Sequence, residues 1–225
     1  MEVLGVMVGT DKANIHKWAS DLVQQHKQLC SVLVRGDIPA QIALLILRQC
    51  VLPSMHYYAR TIPPGLFTAH ANEFDALILN TIIDRLRLPS PLPDGALETL
   101  TLPIRLGGGG FRPIAPILPT CLLSAIALAA HTICQLIPND HKPRLLDLGP
   151  QQLRFARQVT ACCDAVRQLL PDAPPDLVPP TTAHFWQSGT VVCRGLQCGL
   201  FHHRDCEHDR WLETGAALKE SASWN

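Results

Sequence analysis

The C-terminal part of the sequence carries residue types that bind zinc. Zinc favours thiolate and imidazole ligands and takes four of them in a structural site. Cys193, Cys198, His202 and Cys206 follow the spacing C-x4-C-x3-H-x3-C, which lacks the C-x2-C pair of the common zinc modules. The segment is therefore either a zinc site of unusual spacing or, in the interpretation that we favour, a tail rich in cysteine and histidine that binds no metal.

A run of four glycines at 107–110 lies between Arg105 and Arg112. Successive backbone amides in such a run can bind a phosphate, and two nearby guanidinium groups would add charge-assisted hydrogen bonds. The same run also suits a tight turn that packs closely on a helix, because glycine has no Cβ atom. On the sequence alone, we favour the second interpretation.

The sequence contains none of the common motifs of autonomous enzymes. It has no GxSxG nucleophile elbow, no HExxH zinc motif and no GxxxxGK[ST] phosphate loop. It also has no adjacent pair of aspartates that could hold two metal ions for phosphoryl transfer. We interpret the histidines on predicted helices as structural residues rather than catalysts; they are His16, His26, His56, His70 and His131.

Apolar periodicity predicts a mainly α fold, a helical bundle with a short N-terminal strand and turn at 2–9. Thr10 or Asp11 can cap the first helix. The apolar stripe of that helix consists of Ile15, Trp18, Leu22, Leu29 and Leu33. Residues 42–47 are apolar on every face, which predicts a helix buried all round. Pro53 then predicts a kink or a restart of the helix.

The strongest periodic pattern predicts a helix over about 64–87, with prolines at its start. The proline and glycine content of 89–110 predicts a loop, with a short strand at 100–106. A buried helix is predicted at 117–137, in preference to a membrane span, because proline, threonine, serine and histidine interrupt its apolar run. A last helix is predicted at about 150–170.

Charge and composition exclude several classes of protein. Lys and Arg total 19, as do Asp and Glu, so the chain has no net charge. This excludes a strongly basic protein that binds nucleic acid tightly on its own, because phosphate contacts need surplus cations. Residues 100–170 nevertheless contain seven basic side chains against three acidic ones. Nine cysteines without a secretory signal pattern predict reduced thiols in an intracellular protein, nuclear or cytoplasmic and not secreted.

Three blocks of the sequence, in this order, resemble the region downstream of the polymerase active site in reverse transcriptases of non-LTR (LINE-like) retrotransposons. The blocks are VLGVMVGTD (3–11), LLILRQCVLPSMHYYARTIPPGL (44–66) with FDALIL (74–79), and LTLPIRLGGGGFRPIAPILPTCLLSAIALA (100–129). The resemblance implies a primer-grip strand in the first block and a helical thumb in the second. The third block matches the family's LP-hydrophobic-R-hydrophobic-GG-x-G segment at Arg105, Gly107, Gly108 and Gly110.

The resemblance implies contact with the backbone of an RNA/DNA primer–template duplex. The residues it assigns to this contact are Leu4, Gly5, Val6, Arg60, Arg105, Gly107, Gly108 and Arg112. The family's fingers and palm, with their aspartates and Mg²⁺, would precede the first block. We therefore expect a fragment without catalytic residues or a cofactor of its own.

A second interpretation comes from another class of protein. The helices would form a protein-interaction module, or an orphan structural module without nucleic-acid activity. Such a module would bind the missing palm or another protein through an exposed apolar face. Neither interpretation has a membrane as a partner.

The predicted organisation has four parts. Residues 1–137 form the primer-grip strand and thumb-like domain, and 138–170 add a further helix. Five prolines in twelve residues predict a semi-rigid linker at 171–182. The cysteine- and histidine-containing tail, 183–225, is expected to be poorly ordered because it shows no folding pattern.

Overall fold

The computed structural model is mainly helical, which confirms the predicted fold class. It describes residues 2–3, 5–7, 11–136 and 154–171. The helices are α1 (Lys12–Leu33), α2 (Ala40–Ile46), α3 (Leu52–Ala59), α4 (Pro64–Leu86), α5 (Ala96–Thr101), α6 (Leu118–Leu136) and α7 (Arg154–Leu169). A π-helical turn, Leu47–Val51, joins α2 to α3, and short 3₁₀ turns lie at Ile104–Leu106 and Ala115–Ile117. The predicted linker and tail, apart from residue 171, lie outside the described residues.

Contacts divide the chain into two compact units. Among the described residues, the first unit holds the chain up to Ala59 and the range 65–116. The second unit holds 60–64 and the residues from Ile117 onward, which include α6 and α7. The structure does not describe residues 137–153 and 172–225. The domain boundaries predicted at 137, 170 and 182 lie in or next to these ranges, so they stay predictions.

The N-terminal segment forms a small hairpin rather than one strand. Strands β1 (Glu2–Val3) and β2 (Val6–Met7) pair antiparallel. The short strand and turn predicted at 2–9 are present, and because the chain turns back at Gly5, whose φ of 77° suits glycine, a second short strand pairs with the first. Asp11 caps α1, since its carboxylate accepts a hydrogen bond from the Asn14 amide at 3.2 Å.

The predicted burial of 42–47 on every face is wrong. Ala43 and Leu47 are fully buried, but Ile42 is 47% exposed and Leu45 is 50% exposed. Helix α2 thus packs through one face, and its opposite face is apolar and open to solvent. Leu29 of α1 is likewise exposed instead of buried, because Cys30 occupies the buried face at that level of the helix.

The irregularity predicted at Pro53 is present as a wider helical turn. The Leu52 amide donates to the Leu47 carbonyl, five residues earlier, in the π-helical turn that precedes the proline. Proline has no amide hydrogen, so a change of hydrogen-bond register beside it is the expected adjustment. Val51 and Met55 are buried on either side of this point, which keeps the segment in the core.

Helix α4 confirms the prediction for 64–87. It begins at Pro64, where the missing amide hydrogen costs nothing. Phe67, Phe74, Ile78 and Ile82 are buried along the predicted stripe. The largest fully buried side chains of the first unit are Phe67, Phe74, Leu33, Leu47, Met55, Ile82 and Ile114.

Helices α6 and α7 contact each other within the second unit. The predicted helix at 117–137 is confirmed; Leu118, Leu122 and Leu123 near its start are buried, whereas Leu128 is 65% exposed and Leu136 is 78% exposed. Burial raises the pKa of Cys162 to about 12 and that of Cys163 to about 11, which keeps both thiols protonated and unreactive. Among the helices of the described residues, none has the length and apolar composition needed to cross a bilayer.

Candidate functional site

The candidate site is built on the segment that follows α5. The strand predicted at 100–106 is wrong: α5 extends to Thr101, and a 3₁₀ turn occupies Ile104–Leu106. Hydrogen bonds within the segment explain the helix, because the Thr99 and Leu102 amides donate to carbonyls four residues earlier. A strand would need a neighbouring strand, and the described residues of this region offer none.

The glycine run folds back onto the C-terminal end of α5. The Gly109 amide donates to the Thr99 carbonyl at 2.9 Å, and the Gly110 amide donates to the Leu102 carbonyl at 2.7 Å. The amides of residues 107 and 108 also donate to nearby carbonyls, in the 3₁₀ turn. These amides therefore donate hydrogen bonds to carbonyl groups at the ends of helical segments, which would otherwise lack partners. The contacts support the tight-turn interpretation of the glycine run.

The approach of this loop to α5 depends on the missing side chains. A Cβ atom on Gly108 would collide with the Cβ atom and carbonyl of Leu102. A Cβ atom on Gly109 would lie 2.7 Å from the Leu100 carbonyl oxygen. Gly110 adopts a φ of 74°, which other residues rarely adopt. We refer to residues 102–113 as the glycine loop.

The Asp75 carboxylate of α4 binds the chain just beyond the glycine loop. Its two oxygens accept hydrogen bonds from the Ile114 amide at 2.7 Å and the Ala115 amide at 2.8 Å. Burial raises the pKa of Asp75, although both backbone hydrogen bonds act in the opposite direction. The carboxylate thus positions the loop against α4.

Arg48 provides a second contact to the glycine loop. Its guanidinium carbon lies 5.0 Å from the centroid of the Phe111 ring, a distance at which a cation and an aromatic face attract each other. Phe111 is itself buried, and the Arg48 Nε atom is buried without a hydrogen-bond partner. Sequence reasoning missed Arg48 and Asp75, because their partners lie tens of residues away along the chain.

The glycine loop also forms one wall of an apolar cavity of about 220 Å³. Helices α4 and α5 form much of the remainder. Arg112 is half-buried in this wall, whereas Arg105 is exposed. Between Glu98 and Asp140, these two arginines are the only charged residues in the sequence. The loop therefore carries positive charge without local acidic neighbours in the sequence.

The predicted contact residues lie on several different elements of the structure. Gly5 lies in the N-terminal hairpin, and Val6 is 3% exposed and belongs to a strand that contacts α1. Arg60 is exposed and belongs to the second unit. Leu4 and the candidate zinc ligands Cys193, Cys198, His202 and Cys206 lie outside the described residues. Elsewhere, within the described ranges, no group of three histidine, cysteine or acidic residues could hold a metal ion.

His26 and Ser54 form a hydrogen-bonded pair that the sequence did not reveal. The His26 Nε2 atom lies 3.2 Å from the Ser54 hydroxyl oxygen, and that hydroxyl donates to the Val51 carbonyl at 2.7 Å. When the hydroxyl hydrogen is bonded to the Val51 carbonyl, the serine oxygen can accept a hydrogen bond from the His26 tautomer that carries its hydrogen on Nε2. Burial lowers the pKa of His26. The pair thus links α1 to α3 through side chains that are 28 residues apart.

His16 and His70 form a second pair, nearer the surface. The Nδ1 atom of His16 lies 3.2 Å from the Nε2 atom of His70. Burial lowers the pKa of His70, and the neighbouring His16 lowers it further, while Glu73 raises it. The sequence patterns of the two helices did not indicate this contact.

Comparison with protein-family models, with curated proteins and with solved structures found no match to this chain.

Gly108→Ala should destabilise the chain by about 2–3 kcal/mol, because its Cβ atom would overlap the backbone of Leu102. Urea unfolding followed by circular dichroism measures the change. Gly36→Ala is the matched control, since a Cβ atom there meets nothing within 4 Å. A loss of stability that is equal in the two variants would contradict the close packing of the glycine loop.

Asp75→Ala should lower the free energy of unfolding by roughly 2–4 kcal/mol, because two part-buried amides would lose their charged acceptor. Asp84→Ala, an exposed change on the same helix, should stay within about 0.5 kcal/mol of the original chain. Paired urea titrations of the two variants provide the measurement. Equal midpoints for Asp75→Ala and Asp84→Ala would show that the carboxylate does not hold the loop.

Proposed function

We propose that this chain is the thumb-like part of a non-LTR retrotransposon reverse transcriptase, and that it contacts the backbone of a primer–template duplex without sequence preference. The observation that carries the proposal is the order of the three sequence blocks, 3–11, 44–79 and 100–129. We expect this role in the nucleus or the cytoplasm.

Two contacts support treating the second and third blocks as one structural unit. Asp75, from the second block, binds the amides of Ile114 and Ala115 in the third. Arg48, also from the second block, lies over the ring of Phe111 in the third. Parts of the second and third blocks therefore fold together within the first unit, as parts of one inherited lobe would.

The chemistry of the glycine loop favours guanidinium contacts with phosphate. Its glycine amides already donate to carbonyl oxygens, so a phosphate would be bound by the side chains of Arg105 and Arg112. Contacts of this kind fix a protein on a duplex but do not distinguish base pairs. With two cations in the loop and no net charge on the chain, binding should be weak and sensitive to salt.

The proposed role is binding alone. In the family that the sequence resembles, nucleotide joining belongs to the palm, whose aspartates hold Mg²⁺. Nothing among the residues 102–113 supplies a carboxylate for that chemistry. The chain would accordingly need no cofactor of its own to bind a duplex.

Fluorescence anisotropy with a labelled RNA/DNA duplex should show weak binding at low salt, equal for duplexes of scrambled sequence. Arg105→Gln should weaken binding to all of them and reduce the slope of log affinity against log salt by about 1, because one phosphate contact is lost. Lys17→Gln, an exposed change on α1, is the matched control and should leave the slope unchanged.

Two results would contradict the proposal. One is tight association that persists at high salt, since so few cations cannot produce it through phosphate contacts. The other is a salt slope that Arg105→Gln leaves unchanged, which would remove the glycine loop from the interface.

The second candidate function is a protein-interaction module, and the exposed face of α2 favours it. Ile42 and Leu45 lie one helical turn apart, and about half of each side chain is exposed. Contiguous apolar surface of this kind is typical of partner sites. The partner would be the palm of the same enzyme or another protein.

Light scattering without nucleic acid separates the two functions. The interaction module predicts self-association that the double change Ile42→Ser and Leu45→Ser abolishes, because the apolar face would become polar. Leu86→Ser, at an exposed leucine on α4, is the control and should leave association unchanged. A clean monomer that shifts only when duplex is added would instead support the thumb-like function.

A further inference from the structure

Two histidines that are 54 residues apart meet end to end in the first unit. His16 lies on α1 and His70 on α4, and their facing nitrogens, Nδ1 and Nε2, are 3.2 Å apart. The ring centroids are 5.5 Å apart. His16 is exposed and His70 is half-buried, so a small ion from solvent can reach the nitrogens.

A neutral pair in this arrangement shares one hydrogen between the two facing nitrogens. Imidazole has two tautomers, and the hydrogen can move to the outer nitrogen of its own ring. Both facing nitrogens then present lone pairs to the same point. A divalent transition metal can take the place of the shared hydrogen without any net loss of protons.

The 3.2 Å separation of the two nitrogens suits such an ion. Zinc–nitrogen bonds of about 2.05 Å that span the 3.2 Å separation enclose an angle of about 103°, close to the tetrahedral value. To point their lone pairs at one ion, the two rings must each tilt by roughly 40° from the orientation in which the nitrogens face each other directly. Rotation about χ2 of histidine, which has a broad energy minimum, allows this tilt.

We propose that His16 and His70 form a two-histidine site for a divalent transition metal such as Zn²⁺. The exposed Glu73 lies one turn beyond His70 on α4, and its charge acts on the His70 ring. The two histidines are the protein ligands, and water completes the coordination. With few protein ligands the site is weak, and its occupancy follows the free metal concentration.

Bound metal would join α1 to α4. An ion that binds the folded chain and not the unfolded one stabilises the fold in proportion to the logarithm of its concentration. The site thus makes the packing of the first helix depend on metal, independently of duplex binding by the glycine loop.

Thermal unfolding of the full chain with and without Zn²⁺ tests the proposal. The midpoint should rise with Zn²⁺ and return when a chelator is added. His16→Gln and His70→Gln should each abolish the rise, whereas His56→Gln, at a histidine bonded to the Leu52 carbonyl, should retain it. No rise in the unmodified chain, or a rise that survives both His16→Gln and His70→Gln, would overturn the proposal.

A second measurement uses the unmodified chain and therefore does not depend on the folding of the variants. In a titration with paramagnetic Co²⁺, the imidazole proton resonances of His16 and His70 should broaden. We expect this broadening even if the cysteines of the C-terminal part also bind Co²⁺; they are Cys193, Cys198 and Cys206. Binding by their thiolates would be seen separately, as a charge-transfer absorption band. Sharp His16 and His70 resonances at saturating Co²⁺ would overturn the proposal.

Discussion

The Asp75 carboxylate of α4 accepts hydrogen bonds from the amides of Ile114 and Ala115, and these two bonds hold the segment around the glycine loop in place. A carboxylate that leaves water needs partners of this kind, and bonds from an ionised acceptor are worth about 1.5–3 kcal/mol each. They bind the end of the glycine loop to α4. Together with the hydrogen bonds from Gly109, Gly110 and Phe111 to the end of α5, this attachment places Phe111 beside the cavity.

The glycine loop shows how a structural requirement limits recognition. A glycine-rich run between two arginines suggests a phosphate cradle, yet its amides bond to the carbonyls that end α5 and the following 3₁₀ turn. The same hydrogen-bond donors cannot serve a ligand and the fold at once. Recognition of a phosphate is consequently left to the arginine side chains, which act through charge and carry little sequence information.

Two features on the surface of the first unit could not be predicted from the apolar periodicity of its helices. One is the apolar outer face of α2, with Ile42 and Leu45. The other is the contact between His16 and His70. Each arises because a helix is covered on one side only, so residues with the same local pattern have different surroundings. Both features concern binding rather than stability of the core.

Features that depend on neighbouring residues were predictable from the amino-acid sequence: the helical class, the extent of α4 from its prolines and apolar stripe, a cap at Thr10 or Asp11 and the disturbance beside Pro53. Those features follow from hydrogen bonds and side-chain contacts within a few residues. The choice of Asp11 as the cap, the faces that are covered and the distant groups that meet, such as Asp75 with Ile114, became apparent in the folded chain. Burial and long-range hydrogen bonds depend on how the helices pack, and no local pattern in the chain encodes the partner.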